Sequence, residues 1–138
     1  MVMNAYGNTR KKLSDVSIAF HSANYSLLEV NYPDHFITDI EKSTEFIVVE
    51  FVMTPRQIDL AIPICVEVTG QLVFNHHRRE GGGLKPFTTY SDALFSYLGL
   101  KTIDGVTYRE VQSFSKSGKP GFDSMMNVIN FQIDYFNN

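Results

Sequence analysis

The run FIVVEFVMTPRQIDLAIPICVEVTGQLVFN, residues 46–75, decides the fold. Its first part, FIVVEFVMT (46–54), is rich in β-branched and aromatic residues and apolar on both faces except at Glu50. That is the pattern of a central strand covered on two sides. In its last part, ICVEVTGQLVFN (64–75), Ile64, Val66, Val68, Leu72 and Phe74 alternate with Cys65, Glu67, Thr69, Gln71 and Asn75. Such alternation predicts a half-buried strand paired antiparallel with its predecessor. The connection contains Pro55 and Pro63 and forms the tip of a hairpin, and Gly70 marks an expected bulge.

Working outward, NTRKKLSDVSIAF places Leu13, Val16 and Phe20 at helical spacing behind Asn8 and Thr9 as candidate caps, which predicts a helix over 9–22. A short strand is expected over 27–30, stopped by a turn at Tyr32, Pro33 and Asp34, with a loop from there to Glu45. After the hairpin, PFTTYSDALFSYLGL carries Phe87, Tyr90, Leu94, Tyr97 and Leu98 at helical spacing, with Pro86 near its start and Gly99 past its end. Two more strands are expected over 106–114 and 126–136, joined by a turn around SKSGKPGFD. The order α, β, β, β, α, β, β gives an α+β class: a mostly antiparallel sheet with a long hairpin, flanked by two helices, as a single domain over residues 1–138.

Composition excludes several functions. With 43% hydrophobic and 20% charged residues the chain reads as an ordinary globular protein, and its formal net charge of −3 lacks the positive field of a nucleic-acid binder. A single subunit is not expected to bind DNA non-specifically. One cysteine, Cys65, permits no internal disulfide and points to a reducing compartment. No apolar run nears the roughly 18 residues that span a bilayer, so no membrane partner is expected.

The densest chemistry lies in NHHRREGGGL, residues 75–84, read as a loop between strand and helix. His76 and His77 are adjacent, so their rings point to opposite faces if the strand continues, and no chelating spacing accompanies them; no metal site is expected. Gly81, Gly82 and Gly83 match neither the phosphate-loop nor the dinucleotide fingerprint, so no cofactor is expected. Cys65 lies inside a strand and no nucleophile elbow is present, which leaves no catalytic residue to name. Seven Tyr and eleven Phe point instead to a dense core or to surfaces that partners cover.

The pieces EVNYPDHF, FIVVEFVMT, VEVTGQLVFNHHRREGGG, PFTTYSDALFSYL, VTYREVQSF and MNVINFQIDYF, in that order, resemble the tail-terminator (tail-completion) proteins of long-tailed bacteriophages over residues 11–136. The tip TPRQIDLAIP, with its prolines, departs from the pattern. The resemblance implies a homo-hexameric ring in the virion, at the head-proximal end of the tail. Such a ring caps the tail tube protein, ends polymerisation and offers a surface to the head-completion (neck) protein, after synthesis in the host cytoplasm. On that basis His76, His77, Arg78, Arg79, Gly81, Gly82 and Gly83 form a luminal or inter-ring loop facing the tape-measure protein or the DNA end, and Arg56, Gln57 and Asp59 form an inter-subunit hairpin tip. The other readings are a small-ligand module or enzyme with residues 76–83 lining a pocket, and a different neck ring protein.

Overall fold

The computed structural model describes residues 4–58, 64–116 and 119–137. Two α-helices lie on one face of a six-stranded sheet, and among the described residues the other face carries no α-helix. The elements are α1 (Ala5–Asn24), β1 (Glu29–Asn31), a 3₁₀ turn (Ile40–Lys42), β2 (Glu45–Ile58), β3 (Ile64–Arg79), α2 (Lys85–Leu98), β4 (Thr102–Ile103), β5 (Val106–Lys116) and β6 (Phe122–Asn137). The strand order is β1-β2-β3-β6-β5-β4. Only the β1–β2 pair is parallel. This is the α+β architecture the patterns predict.

The β2–β3 hairpin forms the spine, with Glu45 opposite Arg78 and Ile58 opposite Cys65. Val68, Leu72 and Phe74 of β3 and Ile47 and Val49 of β2 point to the helices and are buried. The opposite face of β2 is covered only at its start: Phe46 is buried, whereas Val52 is 51% exposed. The expectation of a strand covered on both sides therefore holds for the first turns of the pleat and fails beyond Glu50. No bulge occurs at Gly70, which pairs in register with Met53 and Phe131. Glycine is required there by a close approach, because a Cβ at Gly70 would sit 1.8 Å from the Val52 carbonyl oxygen. The irregularity lies instead between Tyr108 and Val111 of β5.

Helix α1 begins earlier than its spacing predicts. Asn4 caps it by accepting from the Gly7 amide at 3.2 Å, and Thr9 is a buried helical residue whose hydroxyl donates to the Ala5 carbonyl at 2.7 Å. The buried stripe of Ala5, Leu13, Val16 and Phe20 meets Phe87, Tyr90, Leu94 and Leu98 of α2 above the sheet. Phe20 is the hub, its ring within 6.3 Å of those of His21, Tyr25, Phe74, Tyr90 and Tyr97. The short strand falls at Glu29–Asn31 rather than over 27–30, and Leu27 is 98% exposed. The turn after it closes by reciprocal bonds between Tyr32 and His35. Strand β4, absent from the sequence reading, turns into β5 through Asp104 and Gly105, both at positive φ.

Candidate functional site: the histidine and arginine end of the sheet

Strand β3 does not stop at Asn75. It continues through His76, His77 and Arg78, which pair with β2 on one side and β6 on the other, to Arg79, which pairs with β6. The loop predicted over residues 76–83 thus contracts to the segment after Arg79, and both histidines are core residues at 1% and 7% exposure. The local polarity that suggested a loop is absorbed by partners far away in sequence.

The two rings do face opposite ways. His76 points toward the helices, its ring 4.7 Å from those of Phe87 and Tyr90. Its Nε2 lies 2.6 Å from the Glu45 carboxylate, so Nε2–H donates and Nδ1 is left buried without a partner among the described residues. Burial lowers the His76 pKa and outweighs the opposing pull of Glu45. Arg78 lies 3.6 Å from the same carboxylate. A neutral imidazole and one guanidinium therefore share Glu45. Next along the interior, His21 donates from Nδ1 to the Ser17 carbonyl at 2.8 Å and accepts at Nε2 from the Tyr90 hydroxyl at 2.8 Å. Burial pushes its pKa down to about 4.

His77 points to the helix-free face. It sits between Phe46, at 4.8 Å, and Phe122, at 6.4 Å between ring centroids, and its Nδ1 lies 2.6 Å from the Ser124 hydroxyl. Burial, followed by Lys119 and Lys116, pushes its pKa down to about 4. Arg79 stacks on Phe122 at 4.3 Å and donates to the Glu41 carbonyl at 2.8 Å. Lys119 reaches the Glu41 carboxylate at 2.6 Å. Glu41 thus ties together the 3₁₀ turn, the end of β3 and the turn before β6.

Beyond Arg79 the chain is exposed. Gly81 and Gly83 adopt positive φ of 94° and 75°, conformations that suit glycine, and Gly82 sits against the Arg78 guanidinium. Arg56 and Gln57 lie on β2 opposite Glu67 and Val66, eleven and twelve register positions from Glu45, or about 36–40 Å along the strand. The two candidate regions therefore occupy opposite ends of the hairpin and form no common site. Asp59, the third residue assigned to the tip, lies outside the described residues. Cys65 is buried at that far end, where burial and the Asp134 and Glu67 carboxylates raise its pKa.

The sequence reading missed Glu45, Ser124, Lys116 and Lys119 as members of this end. Its available signal was the pair of lysines in SKSGKPGFD, which the β5–β6 register brings beside NHH. Among the described residues, no three His, Cys, Asp or Glu side chains converge as a metal site would need, and no helix is long and apolar enough to cross a membrane.

No protein-family model matches the sequence, and no curated protein matches it. Eleven solved chains match in structure. One of them covers 91% of this chain and 98% of its own length at a TM-score of 0.58, with 12% identity. At that identity the likeness shows a shared fold and assigns no function.

Proposed function

We propose that the protein is the tail-terminator ring of a long-tailed bacteriophage: six copies cap the last ring of tail tube protein, end its polymerisation and present a surface to the head-completion protein. The sequence resemblance suggests this role, and one structural observation supports the ring: the sheet has two long, unlike, open edges. Strand β1 covers β2 only at Phe46, Ile47 and Val48, and β4 covers β5 only at Val106 and Thr107. Among the described residues no backbone segment pairs with the outer side of β2 over 49–56 or of β5 over 110–116.

Open edges of that length are a hazard in a monomer, and covering them is the usual remedy. Strands β2 and β5 run antiparallel to each other across the sheet. The β5 edge of one copy can therefore pair antiparallel with the β2 edge of the next. A contact between unlike surfaces repeats from copy to copy, and it closes into a ring when its rotation divides a full turn evenly, as the proposed six copies require. Pro55 removes one donor from the β2 edge, which confines such pairing to residues 49–54.

In the ring, Arg78, Arg79 and the loop of Gly81, Gly82 and Gly83 repeat six times at one level. They face the tape-measure protein or DNA end in the channel, or acids of an adjoining ring. Arg56 and Gln57 at the other end of the hairpin reach the neighbouring subunit. The role requires surfaces and no catalytic group. The test is to add the purified protein to polymerising tail tube protein. Tubes capped at one end that cease to grow support the reading; growth unaffected by the protein overturns it.

A further inference from the structure

We infer that the cleft beside His77 on the helix-free face is a binding site for an oxyanion, the carboxylate or phosphate group of a small ligand. The cleft is open to solvent, has a volume of about 440 Å³, and lies between β2, β3, Lys116 at the end of β5, and Lys119, Pro120 and Ser124 around the start of β6. That volume exceeds a bare ion and falls within the range of small-molecule sites.

Its floor is polar and fixed. Asn75 is 2% exposed, and its amide nitrogen donates to the Val48 carbonyl at 3.3 Å and to the Glu50 carboxylate at 3.1 Å. Its oxygen accepts from the Lys116 ammonium at 3.3 Å, which holds that group over the cleft. Ser124 donates to His77 Nδ1 at 2.6 Å in the tautomer that carries its proton on Nε2, and the His77 ring lines the cleft. The Lys119 ammonium lies at the wall, tied to Glu41 at 2.6 Å and 5.7 Å from the centre of the Phe46 ring. Lys116, Lys119 and His77 thus line one space.

Glu50 is the one carboxylate among the lining residues, and it is already engaged by the Asn75 amide. The lining carries Lys116 and Lys119 against Glu50, with Glu41 outside it holding Lys119, so Lys116 is the lining cation with no carboxylate bonded to it among the described residues. Burial is the main reason His77 resists protonation; Lys119, Lys116 and His76 add to it, and Glu41 opposes it. Only the lysine part of that shift is a positive field, and that part draws an anion to the same place. Tyr or Phe stacking is not needed, because charge-assisted bonds supply the recognition.

The site does not depend on the ring. The experiment is a titration of the intact protein with inorganic phosphate in one arm and acetate in the other, read by the NMR shifts of the His77 imidazole. The account expects saturable shifts in at least one arm, with a rise in the His77 pKa on binding. The arm that saturates at lower concentration names the chemistry. Lys116→Gln with Lys119→Gln should weaken binding at least about tenfold, since each removes a charge-assisted bond. Lys116→Arg with Lys119→Arg should retain it, which controls for a change in folding. Shifts that grow linearly in both arms, or that the Gln pair leaves unchanged, overturn the proposal.

Discussion

Replacing Gly70 by alanine probes the centre of the fold with one methyl group. The added Cβ would lie 1.8 Å from the Val52 oxygen, 2.8 Å from the Val52 carbonyl carbon and 3.1 Å from the Met53 Cα. An ordinary carbon–oxygen contact is about 3.3 Å, so the strands must part by roughly 1.5 Å at this point. They have nowhere to go: β3 is paired with β2 on one side and with β6 on the other through its whole length, and Gly70 stands between Met53 and Phe131. Atoms of the backbone, unlike the end of a flexible side chain, cannot turn aside. Overpacking of this kind costs about 3 kcal/mol, partly offset by the roughly 0.5–1 kcal/mol that alanine gains over glycine inside a strand. A net loss of about 2 kcal/mol is expected in urea unfolding with the slope of the transition unchanged. Gly82→Ala is the matched control, because the nearest atom to its Cβ is the Arg78 Nε at 3.7 Å. It should stay within about 0.5 kcal/mol of the parent. A Gly70→Ala protein as stable as Gly82→Ala would refute the register at the heart of the hairpin.

Four further outcomes are expected. His21 and His77 both titrate near 4 in the folded chain against an ordinary 6.5, so the folded state favours their neutral forms. Stability is then complete above pH 6.5 and falls between pH 6.5 and 4, by about 3 kcal/mol per histidine at the limit; a denaturation midpoint flat over that window would contradict it. Phe20→Ala, at the hub of the aromatic cluster, should cost about 3–5 kcal/mol, measured by the same unfolding assay, and a loss below 1 kcal/mol would deny its central place. Glu45→Ala removes the acceptor of His76 Nε2 beside a Nδ1 that is already unpartnered, and should cost about 1–3 kcal/mol, with a smaller loss in Glu50→Ala as the comparison. Arg78→Ala with Arg79→Ala should impair assembly or DNA retention in the proposed ring, and wild-type particle yields and DNA content from that pair would count against it.

Periodicity made the hairpin and both helices legible, because their apolar faces are set by neighbours in the same segment. The stripe of Leu13, Val16 and Phe20 and the alternation through Val68, Leu72 and Phe74 mark burial directly. The sheet's histidine end was illegible for the opposite reason. His76 and His77 are polar, yet they are buried by Phe87 and Tyr90 on one side and by Phe46 and Phe122 on the other. Those contacts depend on the pairing of β3 with strands and helices from both halves of the chain. The cleft needed the same information, since Lys116 and Lys119 reach Asn75 and Glu41 only through the β5–β6 register. Gly70 carried an ambiguous signal: a glycine in a strand marks either a bulge or a close approach, and the spacing of the neighbouring strand decides between them. The Asp104-Gly105 turn, by contrast, was present in the sequence as an ordinary hairpin signal beside a strand too short to notice.

The ring is the central claim, and the mass of the purified protein in solution over a range of concentrations, followed by imaging with added tail tubes, tests it most directly. The account predicts a six-copy species, either free in solution or assembled as a cap on one end of each tube. A stable species of one or two copies that ignores the tubes would contradict it.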